Sequence, residues 1–211
     1  MKKIRIAFFL LLVITIGTAR AQQVSLTVPS GHAKAIERIA TSPNGKYAAS
    51  VSYKTVIIWD IAGNKKIHEV NLAAETNSLA ITDRLDKVAV ATNDGLYCYN
   101  IQTGKQLFRN GTAMSGAVFN NDGSLIYAMD DGTLYLLDAN TGNLIKYISK
   151  AANGTGGRCR LYELGNNRLF ILYYAGWSMV NISTGEILLK QEFKGVYNQK
   201  MAAFDYNAAD N

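Results

Sequence analysis

One pattern occurs four times in this chain, and it limits the fold more than composition does. Residues 35–70, "AIERIATSPNGKYAASVSYKTVIIWDIAGNKKIHEV", read as an apolar strand, a polar turn, a second strand, a tight turn, a third strand and a Gly turn. The same order returns over 77–108, over 115–148 and, more eroded, over 159–191. A polar residue closes the third strand each time, at Asp60, Asn100, Asp138 and Asn181. The glycine of the last turn recurs at Gly63, Gly104, Gly142 and Gly185, with separations of 41, 38 and 43 residues. A unit repeated at such a period buries its faces against its neighbours, because one copy alone cannot cover them.

Each unit predicts a four-stranded antiparallel sheet, the fourth strand being, for example, Leu144 to Ile148. "KVAVAT", "TLYLLD" and "RLFILYY" are apolar on both sides, as strands covered on two faces must be. Asp94-Gly95, Asp122-Gly123 and Asp131-Gly132 sit between apolar runs, where a two-residue hairpin needs positive φ. A four-stranded unit with a period near forty is the mark of a propeller blade. The expected fold is therefore all-β: a β-propeller of about four four-stranded blades (31–72, 75–110, 112–150 and 157–193) plus the start of a fifth from residue 197. Residues 203–207 parallel residues 118–122, the first strand and turn of the third repeat. On this reading the ring is incomplete and the chain is the N-terminal part of a longer protein.

The first 21 residues stand apart. Lys2, Lys3 and Arg5 precede the apolar run "AFFLLLVITIG", and Ala19-Arg20-Ala21 offers small residues for cleavage before Gln22. This is the pattern of a secretory signal peptide, and its apolar run is too short to span a bilayer stably. Without it, 18 basic residues face 16 acidic ones, a net charge of +2 in place of +6. No clustered positive charge remains for a nucleic-acid surface. Residues 22–30 alternate Val24, Leu26 and Val28 with polar partners, a strand pattern.

The first repeat resembles a WD repeat in "GH" at Gly31-His32, "SPNGKY" at Ser42 to Tyr47 and "TVIIWD" ending in Trp59-Asp60. The resemblance implies a structural hydrogen-bonded tetrad, with His32, Ser50 and Trp59 in three of its places. The acidic place falls near Ser52-Tyr53, which leaves the tetrad incomplete. It also implies that the strand over 22–30 locks a last blade. Tyr99, Leu137 and Val180 replace the Trp later on, and "DDGTLYLLDANTGNLI" in the third repeat resembles a quinoprotein-type blade.

Other motifs carry little chemistry. His32 and His68 are the only histidines, with Cys98 and Cys159 as their only soft companions, so neither a metal site nor a Cys–His pair is expected. Those two cysteines read as packed core thiols in preference to a disulfide. "DRLDK", "NNDG" and "MDDG" do not reproduce a calcium loop, and "NGTGG" lacks the Lys and helix of a phosphate loop. The sequons at Asn110, Asn153 and Asn181 read as incidental. Tyr97, Tyr99, Tyr135, Tyr147, Tyr173 and Tyr174 stand mostly at strand positions and read as core and groove packing, with a place on the upper surface left open for some of them.

The function expected is non-enzymatic: a scaffold for protein interaction or sensing, secreted or periplasmic in a bacterial envelope. It needs no cofactor or metal, binds protein partners and no nucleic acid, has no membrane span after signal cleavage, and can self-associate through open blade edges. The alternative is part of a quinoprotein-like dehydrogenase using pyrroloquinoline quinone, which requires a full ring, a calcium site and an acidic base.

Overall fold

The computed structural model describes residues 31–82, 87–153 and 159–193. The signal segment, the strand expected over 22–30 and the fifth-blade start expected from 197 lie outside the described residues.

The described residues form four four-stranded antiparallel sheets. The first holds β1 (Arg38–Thr41), β2 (Tyr47–Ser52), β3 (Thr55–Asp60) and β4 (Lys65–Asn71). The second holds β5 (Thr76–Ile81), β6 (Lys87–Thr92), β7 (Gly95–Asn100) and β8 (Gln106–Asn110). β9 (Gly116–Phe119), β10 (Leu125–Asp130), β11 (Thr133–Asp138) and β12 (Leu144–Ile148) make the third. β13 (Arg160–Gly165), β14 (Arg168–Tyr173), β15 (Gly176–Asn181) and β16 (Ile187–Glu192) make the fourth. Each sheet is a meander in which sequence neighbours pair, because the connecting turns are too short for any other order. The first strands stand side by side around an axis, β1 beside β5, β5 beside β9 and β9 beside β13. The described residues thus make an all-β propeller arc of four blades.

Three apolar clusters hold the blades together, one at each junction. Val51, Val56 and Ile58 of blade one meet Val88, Val90, Tyr97 and Tyr99 of blade two. Ala89, Leu96 and Cys98 on the other face of blade two meet Ile126, Ala128 and Leu137 of blade three. Met129, Leu134 and Leu136 then meet Leu161, Leu169, Ile171 and Val180 of blade four. Every residue of β6 is buried, as a strand with a blade on each face must be. Full burial of one Val, Ile or Leu side chain is worth about 1.5–3 kcal/mol, so these junctions dominate stability.

The turn after each third strand is built the same way. Asp60, Asn100, Asp138 and Asn181 each accept, through Oδ1, the backbone N–H three residues on, at 2.9, 2.9, 2.8 and 3.0 Å. The positive-φ residue that follows is Asn64, Gly104, Gly142 or Gly185. Gly63 is therefore not the counterpart of the three later glycines, as its spacing suggests. It stands where they have Thr, and Asn64 takes the left-handed position, which asparagine tolerates.

The Asp-Gly turns also differ from expectation. Only Asp131-Gly132 places both residues at positive φ, 36° and 86°, in a two-residue hairpin. Gly95 opens β7 itself, so the turn there is Asn93-Asp94, held by the Thr92 hydroxyl, which donates to Asp94 Oδ1 at 2.5 Å. Asp122-Gly123 belongs to a longer loop between Phe119 and Leu125.

A feature with no counterpart in the residue pattern recurs four times. Pairing between the third and fourth strands slips at Ile58/Trp59, Cys98/Tyr99, Leu136/Leu137 and Met179/Val180. A bulge at one register position of every blade steepens the local twist and bends the outer strand.

Candidate functional site

The four first strands line a groove of about 1260 Å³ along the axis. Each is the innermost strand of its sheet, so its free edge and its end residues face the axis. Thr41, Asn121, Arg160 and Tyr174 are exposed lining residues, with Phe119 and Glu163 among the more buried ones. Side chains tie neighbouring inner strands together. Arg38 Nε donates to Asn77 O at 3.2 Å, and Ser78 Oγ donates to Ala117 O at 3.3 Å. Asn77 Nδ2 donates both to Asn93 Oδ1 at 2.7 Å and to Met114 O at 3.0 Å. The wall of the groove is thus rigid and polar at its rim, a shape suited to holding a ligand's polar groups.

Glu163 is the electrostatic exception. One of its carboxylate oxygens is buried with no hydrogen-bond partner. Burial raises its pKa above the ordinary glutamate value, against a smaller opposing contribution from the Gly165 backbone N–H. Asp94 lies at the other extreme. The Thr92 hydroxyl, aided by Tyr97 Oη at 2.9 Å and the Arg109 guanidinium at 3.3 Å, holds its carboxyl below the usual range. Arg109 also stacks over the Tyr97 ring, 5.4 Å from its centroid.

His32, Ser50 and Trp59 come together on the face of blade one that points away from blade two. Trp59 Nε1 donates to Ser50 Oγ at 2.7 Å, and the same oxygen shares a 2.8 Å hydrogen bond with His32 Nε2. With the Ser50 hydroxyl proton directed at Nε2, the ring proton sits on Nδ1. That atom is buried and has no partner. The position near Ser52-Tyr53 supplies no acid, and Tyr53 instead lies exposed at φ 56° with Lys34 Nζ 4.4 Å above its ring.

The remaining residues singled out from sequence are dispersed. His68 Nε2 bonds Gln102 O at 2.8 Å across the first blade junction. Cys98 and Cys159 are buried in different clusters and are not joined to each other, and burial pushes the Cys159 thiol up to about 12. Among the described residues, no group of three or more His, Cys, Asp or Glu is placed to hold a metal ion. No helix among them is long and apolar enough to cross a membrane. Tyr97, Tyr99 and Tyr173 are buried, whereas Tyr147 on β12 is exposed, and so is Tyr174, which lies in the turn after β14 and lines the groove.

Comparison with known proteins agrees with this architecture. The family described as outer membrane protein assembly factor BamB matches residues 33–202. The small ribosomal subunit protein RACK1 of Candida albicans is 34% identical over 73 residues, which are 34% of this chain and 23% of that protein. The solved BamB of Moraxella catarrhalis superposes with a TM-score of 0.60 at 16% identity, over 75% of this chain and 54% of its own. The WD40 repeats of RRP9 superpose with a TM-score of 0.64 at 14% identity, over 75% and 51%. The chain thus spans about half the length of these solved chains. With the match running from the first blade past the last described strand, the chain belongs to the BamB family of β-propellers.

Proposed function

We propose that this protein is a non-catalytic binding scaffold of the bacterial cell envelope, and that it engages a protein partner through the axial groove and its rim. The observation that carries the reading is the groove itself: four inner strands, the first three cross-tied through Arg38, Asn77 and Ser78, present a wall with exposed polar and aromatic residues at its ends. Rigid walls with variable loops favour recognition, because little conformational entropy is lost on binding. The envelope assignment draws support from the family and from the basic-then-apolar segment before Gln22. His32, Ser50 and Trp59 serve as a structural brace of the first blade, with no part in binding.

The test has two arms. Full-length protein is used as bait in envelope extracts, beside variants carrying Thr41→Arg and Asn121→Arg at exposed groove positions. A discrete partner retained by the parent and lost from the variants supports the reading. In the second arm the protein is incubated with pyrroloquinoline quinone and calcium and assayed for dye-linked alcohol oxidation. Turnover there overturns it in favour of a quinoprotein dehydrogenase.

A further inference from the structure

β12 differs from the other three outer strands. β4 carries Lys65, Lys66 and Glu69, and β16 carries Lys190 and Glu192, whereas β8 has only Arg109, turned onto Asp94 of its own blade, and exposes one large apolar residue, Leu107, at 38%. Charges of this kind discourage an exposed strand edge from pairing with another chain. β12 reads Leu144-Ile145-Lys146-Tyr147-Ile148, and its single positive charge rests on neutral backbone carbonyls of the next blade, which hold it beside the strand without cancelling it. Lys146 Nζ donates to Ser183 O at 2.8 Å and to Ile182 O at 3.3 Å. Leu144, Ile145 and Tyr147 are 54%, 58% and 62% exposed. The strand pairs with β11 alone, so its other edge offers backbone N–H and C=O groups to solvent.

We propose that the outer edge of β12 is a strand-addition site for an extended protein segment with alternating apolar residues and an acidic residue opposite Lys146. Backbone groups supply the pairing, and the apolar side chains on both faces supply the selectivity. The charge decides against a second copy of this chain as occupant. Antiparallel self-pairing about the middle of β12 would set Lys146 against Lys146, a destabilising like-charge pair, whereas an acidic residue complements it. This surface lies on the outer rim, apart from the axial groove, and stands or falls separately from the groove reading.

A fluorescein-labelled peptide of alternating Val and Thr with a central Glu is titrated into the full chain by anisotropy. It is compared with the same peptide N-methylated on alternate residues and with a central-Lys version. The expected result is saturable binding, weakened at least tenfold by N-methylation, by the central Lys, and by the protein variant Ile145→Lys/Tyr147→Lys. No binding, or binding indifferent to these changes, overturns the proposal. Dimerisation of the full chain by sedimentation that the double variant abolishes overturns the choice of occupant. If the double variant does not fold, amide exchange in the unaltered chain decides. The peptide slows exchange within residues 144–148 at least tenfold, and unchanged exchange there overturns the site.

Discussion

Trp59 donates its indole N–H to Ser50 Oγ at 2.7 Å, and no other blade makes that bond. At the same two register positions stand Val90 and Tyr99, Ala128 and Leu137, and Ile171 and Val180. In blades two to four this face packs on the preceding blade through apolar side chains, while in blade one it carries a polar brace. Ser50→Ala therefore leaves Trp59 Nε1 and His32 Nε2 without their shared partner at a buried position. The expected loss is about 1–3 kcal/mol in urea unfolding, against less than 1 kcal/mol for Ser52→Ala, whose side chain makes no hydrogen bond seen among the described residues.

The brace has room for improvement. His32 Nδ1 is buried and unpartnered, and Tyr53 occupies a left-handed backbone position that suits a short polar residue better. Asp131 holds the corresponding turn position in blade three, at φ 36°. Tyr53→Asp is expected to raise stability by roughly 0.5–1 kcal/mol, read as a higher Tm, and Tyr53→Ala is expected to give no such gain.

Two carboxylates give opposite pH signatures. Asp94 is held below its ordinary pKa, so its contribution is present above that ordinary value and is lost as pH falls through its folded value. Asp94→Asn is expected to cost about 0.5–1 kcal/mol at neutral pH, discounted for partial exposure, and nothing in strong acid. Thermal melts of both proteins across the acid range check this.

Glu163 works the other way. Its raised pKa means that the folded state disfavours the ionised form, so the group destabilises at neutral pH and stops doing so as pH falls below the ordinary glutamate value. Glu163→Gln is expected to stabilise the protein by roughly half a kcal/mol at pH 7, the difference closing in acid. A constant difference across pH would contradict the assigned cause.

Glycine turns separate by surroundings. A Cβ on Gly142 would overlap the Phe108 ring from the neighbouring blade, and its φ is 72°. Gly45 has a similar φ of 66° with nothing near. Gly142→Ala is expected to cost about 2–3 kcal/mol and Gly45→Ala about 1 kcal/mol, as measured by denaturant midpoints.

What could be read from the residues was what depends on short-range chemistry. The period, the alternation, and the side chains that close the third strands are local properties, and β6 and Asp60, Asn100, Asp138 and Asn181 behave as they dictate. The convergence of His32, Ser50 and Trp59 followed from a motif that carries its geometry with it. The bulge beside Trp59, Tyr99, Leu137 and Val180 was not visible, because it arises from sheet twist and leaves no residue signature. The groove wall was hidden for another reason. Arg38, Asn77 and Ser78 make their bonds to a different blade, some forty residues away, and no spacing rule points there.

The claim on which the functional reading turns is that partners meet the axial groove. Photo-crosslinking residues placed at Thr41, Asn121 and Tyr174, with exposed positions Ala62 and Lys105 away from the groove as controls, test it in living cells. Discrete protein adducts are expected from the three groove positions and none from the controls. Adducts from the controls alone, or from no position at all, would contradict it.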